Sequence, residues 1–161
     1  MDNYVIKNSL GKGNGVFSTV NLPANHTIFE FVGKVLLRQD IPDFSGTIAS
    51  NYLQIGPTQY LDLAGTAPFY INHACLPNCM IKIIVNRAFL VSIQPIKIGD
   101  ELTFDYSTTS TETPATWSMA CKCNAGQFQC RKTITGFSSV PVKQQQKYIA
   151  NGMVPNYVIV K

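Results

Sequence analysis

Cys121, Cys123 and Cys130 stand close together in the last third of the chain. That spacing suits thiolates gathered on one metal ion better than a disulfide framework. Structural zinc takes four ligands, so a fourth must come from elsewhere. The other two cysteines, Cys75 and Cys79, lie together in Ile71-Asn72-His73-Ala74-Cys75-Leu76-Pro77-Asn78-Cys79. Pro77 stiffens this stretch, and it lacks the periodicity of strand or helix. It reads as a tight, ordered loop between strands, whose polar groups need internal partners or a ligand. Upstream, Gly11, Gly13 and Gly15 alternate through residues 10–17, where bare backbone can approach a ligand closely. No Gly-Lys-Ser/Thr follows, and the spacing and helix of a dinucleotide site are missing, which excludes a phosphate loop and a Rossmann turn. Downstream, Gly99-Asp100-Glu101-Leu102-Thr103-Phe104-Asp105-Tyr106 carries three carboxylates and a tyrosine. The carboxylates are read as surface or turn residues rather than as a catalytic pair.

The elements that must position these residues are short strands. Strand signal lies at 4–6, 16–17 and 27–32, with a turn at 22–25. It fades over 39–50, a loop or short insert, and returns at 51–56 and 59–63 around Gly56-Pro57. The clearest hairpin is 80–93, with its turn placed at Asn86-Arg87, although the favoured Asn-Gly pair is absent. Pro95 ends that hairpin, and Gly99 leads into a last short strand at 102–104. Residues 107–120 read as a polar linker closed by Trp117. Residues 121–130 are too few for a core and need a staple such as metal. One helical candidate occupies 142–150, with Gly152 placed as a terminator. The pattern is a β-rich single domain without internal repeats.

Composition narrows the function classes. The chain has 161 residues and a formal charge of +4, enough for one domain with a proper core. It has no apolar run of about 18 residues for a membrane span. Its start lacks the basic and apolar regions of a signal peptide. The expectation is an intracellular protein in a reducing compartment. Basic residues are scattered apart from Lys7, Lys12 and Arg131-Lys132, so neither direct nucleic-acid binding nor membrane binding is expected.

In order, the glycine run, the 71–79 loop, the 99–106 stretch and the cysteine cluster resemble the SET-domain family of S-adenosylmethionine-dependent protein lysine methyltransferases. The type is compact and stand-alone, with a post-SET zinc-binding segment, and the resemblance covers residues 4–137. It implies a mainly β fold of short sheets with a threaded C-terminal segment and a small zinc-stapled post-SET lobe. It divides the chain into a SET domain at 1–106, a linker at 107–120, the post-SET segment at 121–137 and a tail at 138–161. It implies zinc on Cys75, Cys121, Cys123 and Cys130, with Cys79 competing for the place of Cys75. The gap between Cys123 and Cys130 is longer than the family's usual one, which a flexible loop tolerates.

For S-adenosylmethionine the resemblance implies backbone contacts from Lys12, Gly13 and Asn14 to the methionyl end. Asn72 and His73 would meet the amino group and the adenine side, Tyr52 would touch the cofactor, and Phe137 or Phe128 would cover it. Tyr106 matches the active-site tyrosine. Phe104, on the same side of a strand, matches a channel position where phenylalanine favours di- and trimethylation. Asn14, Phe69 and Ala74 depart from the family's aromatic, arginine and serine. They leave open a second reading, a catalytically silent SET-like peptide-binding module. The expected partner is a protein or peptide lysine, histone tails included, with the chain a monomer or weak homodimer. The expected setting is cytoplasm or nucleus, or a host nucleus for a secreted effector.

Overall fold

Twelve short strands and two short helices make up the described part of the chain. The strands are β1 (Tyr4–Ser9), β2 (Gly13–Ser18), β3 (Thr27–Phe31), β4 (Lys34–Leu37), β5 (Tyr52–Gln54), β6 (Gln59–Asp62), β7 (Asn72–His73), β8 (Cys79–Ile84), β9 (Arg87–Ser92), β10 (Thr103–Phe104), β11 (Met119–Ala120) and β12 (Thr133–Ile134). The helices are α1 (Val142–Ala150) and α2 (Asn156–Ile159). This computed structural model describes residues 3–123, 125–126 and 128–160. Positions 1, 2, 124, 127 and 161 lie outside the described residues, so parts of the segments 1–106, 121–137 and 138–161 fall there.

The strands form five small sheets: β1-β2, β3-β9-β8, β4-β6-β5, β10-β7 and β11-β12. All pairings are antiparallel except β7 with β10, where Asn72 faces Thr103 and His73 faces Phe104. The sheets share one main core built from Val16, Phe31, Leu53, Ile71, Leu90 and Leu102, among others. Burying side chains of this size stabilises a fold by about 1.5–3 kcal/mol each. A second cluster joins α1 through Tyr148 to Phe137, Val140, Met153 and Val154. A third joins Trp117, Ala49 and Ile134. This is the mainly β fold of small sheets expected from the sequence.

The hairpin turn sits one residue earlier than expected. Val85 and Asn86 are its two central residues, both with positive φ (47° and 60°), as a two-residue hairpin loop requires. Arg87 belongs to β9 and pairs with Ile84. Its guanidinium forks onto Glu30 of β3 at 2.7 and 2.5 Å.

Residues 102–110 run buried through the interior, with only Tyr106 half-buried. The polar run 107–110 is hidden because its groups have partners. Ser107 donates to Thr135 O at 2.6 Å and Thr108 to Asp105 O at 2.7 Å. Tyr157 donates to both Thr109 O and Gln54 O. No helix among the described residues is long and apolar enough to cross a membrane.

Candidate active site

The β1-β2 turn, the 71–79 loop and the buried 102–110 segment converge on an open cleft of about 1180 Å³. Lys12, Asn14, Asn72, His73 and Tyr106 line it, with Phe69 and Tyr70 on one side and Met119, Ala120 and Lys122 on another. Of the residues singled out for a cofactor, Gly13 and Tyr52 are not among those lining the cleft. Gly13 opens β2 with a φ of 82°. Tyr52 lines a second, narrower cavity that Tyr106 also borders. Phe137 is buried in the α1 cluster and Phe128 is 96% exposed, so neither covers the cleft. Chain from β11, Lys122 and Ile134 takes that side instead.

Glu101 ties the cleft wall together and is half-buried. It receives Lys12 Nζ at 2.5 Å and Asn72 Nδ2 at 2.8 Å. Burial alone would raise its pKa, but hydrogen bonds from Lys12, Asn72 and Ser9 and the lysine charge outweigh it and hold the carboxylate below its ordinary range. Asn72 Nδ2 also donates to Asn14 O at 3.0 Å, which links the β1-β2 hairpin to the loop.

The second cavity has aromatic walls: Phe44, Tyr52, Tyr60, Phe104, Tyr106 and Trp117. Three of the four polar ring ends are tied down. Trp117 Nε1 donates to Gly46 O at 2.9 Å, Tyr60 donates to Glu112 at 2.9 Å and Tyr106 donates to Ile71 O at 2.5 Å. Phe104 and Tyr106 lie with centroids 4.9 Å apart, on one side of the chain as their spacing implies. Tyr106 borders both cavities. Burial, and after it the Glu101 charge, raises its phenol pKa, so the hydroxyl stays protonated. With its proton on Ile71 O, that oxygen still has lone pairs to offer. Phe44 and Trp117 were not read as site residues. They come from the insert and the linker, where no motif marks them.

The thiols gather beside the loop. Cys75 Sγ and Cys121 Sγ lie 3.7 Å apart, and ligand atoms of His73, Cys75, Cys121 and Cys123 all lie within 4.8 Å of one another. Cys130 is close to Cys121 but lies outside that group of four. A tetrahedral centre with metal–sulfur bonds of about 2.3 Å sets its sulfurs about 3.8 Å apart, so this donor set fits zinc. Backbone N–H groups of Arg131, Cys123 and Lys132 point at Cys75, Cys121 and Cys130 sulfurs at 3.4 Å, as donors around bound thiolates do. Burial raises the Cys123 pKa, but backbone N–H groups of Cys75 and Ala125, with the neighbouring thiols, prevail and bring it down to about 7.

His73 is a poorer fourth ligand than Cys130. Tyr106 N donates to His73 Nδ1 at 3.2 Å, so the neutral ring carries its proton on Nε2, 3.3 Å from Cys75 Sγ. A protonated nitrogen donates to sulfur and has no lone pair for a metal. Burial, opposed in part by Asp105, lowers the His73 pKa to about 4, which keeps the ring neutral. Cys79 stands apart, wholly buried in the main core, its thiol pushed up to about 12 by burial.

Asp105 corrects the surface reading most sharply. Its side chain is inaccessible and takes a forked ion pair from Arg131 at 2.5 and 2.7 Å. Tyr148 of α1 donates to it at 3.0 Å, and His73 Nδ1 is 3.6 Å away. One carboxylate thus joins the residue after Cys130, the C-terminal helix and the loop.

A fold of small sheets around a buried segment, with a cleft and an aromatic-lined cavity both bordered by Tyr106, defines a class, and the comparisons agree on it. The family model for the SET domain matches residues 13–107, and the chain belongs to the SET domain family. A histone-lysine N-methyltransferase specific for H3 lysine-4 from Emericella nidulans is 34% identical over 57% of this chain. The histone-lysine N-methyltransferase ASHH2 of Arabidopsis thaliana is 32% identical over 78% of it. The aligned part is 8% of each of these proteins, so the chain spans a small part of the curated relatives' length. A crystal structure of KRYPTONITE in complex with mCHG DNA and SAH has a TM-score of 0.64 at 27% identity, over 81% of this chain and 28% of that one. Another, with mCHH DNA, an H3(1-15) peptide and SAH, has a TM-score of 0.64 at 25% identity, over 83% and 30%.

Proposed function

We propose that this protein transfers methyl groups from S-adenosylmethionine to the ε-amine of lysine in a protein substrate, histone tails among the candidates. The observation that carries the reading is the meeting of the open cleft and the narrow aromatic channel at Tyr106. The relatives' names and the SAH and peptide held by the KRYPTONITE structures support it. When bound, S-adenosylmethionine supplies a methyl group on a positive sulfonium. Asn72 offers an amide oxygen to its ammonium, and Lys12, Asn14 and His73 line the same cleft. The aromatic channel disfavours a charged lysine and so lowers its pKa from about 10.4. The Tyr106 oxygen, held by Ile71 O, orients the incoming amine and accepts weak contacts from the polarised methyl. The setting that suits free thiolates is a reducing intracellular compartment. Tritiated cofactor incubated with the protein, histones and a cell lysate tests the reading. Labelled lysine with the parent chain and none with Tyr106→Phe is the expected result, and no label with the parent refutes it.

The zinc site belongs to the same reading. One zinc per chain on Cys75, Cys121, Cys123 and Cys130 is the expected stoichiometry, measured by metal analysis of protein purified under reducing conditions. Cys123→Ser is expected to lose the metal and the activity, and a fully active, metal-free variant would show that the thiols have another use.

Product number is the third expectation. Phe104 is buried between Phe31 and Tyr106 and has no hydroxyl to hold a water in the channel. Losing one such hydrogen bond, about 1 kcal/mol, frees room for a methylated amine to turn. Mass spectrometry should find di- and trimethyl-lysine with the parent and mainly monomethyl-lysine with Phe104→Tyr. Identical product patterns would leave Phe104 a packing residue.

A further inference from the structure

The Asn72 amide can bind a cation or an anion, depending on which end it shows the cleft. Its surroundings leave one choice. The two groups that meet its Nδ2, Asn14 O at 3.0 Å and Glu101 Oε1 at 2.8 Å, can only accept hydrogen bonds when the carboxylate is ionised. The NH₂ end must therefore face inward, and the oxygen, which no described residue engages, is left on the cleft side. Lys12 on the other Glu101 oxygen, at 2.5 Å, stabilises the ionised carboxylate. Gly15 leaves room for the arrangement: a Cβ there would come within 2.5 Å of Glu101 Oε1 and 3.0 Å of Asn72 Nδ2.

We propose that Glu101 is a positioning residue that fixes the orientation of the Asn72 amide and so makes the cleft select ligands bearing a free ammonium group. This rests on the reading of the cleft as the cofactor site. A glutamine at 101 could donate as well as accept. With its oxygen kept by Lys12, that glutamine would set its NH₂ against the Asn72 NH₂. Asn14 O would still require the NH₂ end and the glutamine the oxygen end, so the two neighbours would no longer agree on one orientation and the preference for an ammonium would fade.

The test is calorimetric binding of S-adenosylhomocysteine and of its analogue lacking the α-amino group. The parent should favour the amino-bearing ligand by about ten- to a hundredfold, the worth of a charge-assisted hydrogen bond. Glu101→Gln should cut that ratio to within about threefold, mainly by weakening the amino-bearing ligand. Adding Asn72→Asp to Glu101→Gln should raise the ratio again, because the introduced amide donates to the introduced carboxylate, which then shows oxygen to the cleft. A Glu101→Gln protein that keeps the parent's full ratio overturns the role of Glu101 and leaves the cofactor reading standing. A parent that binds neither ligand overturns both. Should Glu101→Gln fail to fold, Asn72→Asp alone decides. With Glu101 intact it sets two carboxylates together and should weaken S-adenosylhomocysteine about tenfold, and unchanged affinity overturns the proposal.

Discussion

Tyr106→Phe is expected to lower the methylation rate about a hundredfold while cofactor binding stays within about threefold of the parent. The variant removes one oxygen from a residue that borders both cavities, where the proposed chemistry has it orient the amine. Misplacing a reacting group by an ångström is enough for a loss of that size. The fold should survive. The lost bond to Ile71 O is a neutral one, about 1 kcal/mol, and the ring keeps its contacts with Phe104 and His73. Single-turnover rates with a lysine peptide, beside calorimetric binding of S-adenosylhomocysteine, separate the two effects. A variant that methylates as fast as the parent would remove Tyr106 from the proposed chemistry. A variant that loses cofactor affinity in proportion would make it a binding residue instead.

Asp105→Ala should be strongly destabilising. It would leave the Arg131 guanidinium, 13% exposed, without its forked partner and Tyr148 without its acceptor. Breaking one side of a buried pair costs about 3–5 kcal/mol. For a chain of this length that is a melting-temperature drop of about 6–20 °C. Pairing Asp105→Leu with Arg131→Met should recover part of the loss, since no uncompensated charge then remains. Denaturant unfolding of the single and double variants measures both. A loss under about 1 kcal/mol for Asp105→Ala would mean that the ion pair does not hold the post-SET segment in place.

The sequence by itself determined the class of fold and the positions of its punctuation. Strand patterns at 27–32, 59–63 and 80–93 became β3, β6 and the β8-β9 hairpin, because alternation and turn residues are local properties that tertiary contacts seldom reverse. The spacing of Cys121, Cys123 and Cys130 and the cysteines of the 71–79 loop already suggested convergence on one metal. Phe104 and Tyr106 come together as their spacing suggests, although the strand ends at Phe104 and Tyr106 opens a 3-10 turn.

What only the tertiary structure decided are the roles that depend on partners far along the chain. Asp105 reads as a turn acid, yet Arg131 and Tyr148, 26 and 43 residues away, make it the least accessible carboxylate of the site. Glu101 looked like surface until Lys12, 89 residues upstream, met it. Phe44 and Trp117 belong to stretches with no strand or helix pattern, and only folding brings them to the channel wall. Tyr52 lies on a strand the sequence does show, yet which cavity it faces was settled only by the packing around it. A charged or aromatic side chain in an irregular segment carries no local signal of burial. Its environment is set by which distant groups can satisfy its hydrogen bonds and cover its surface.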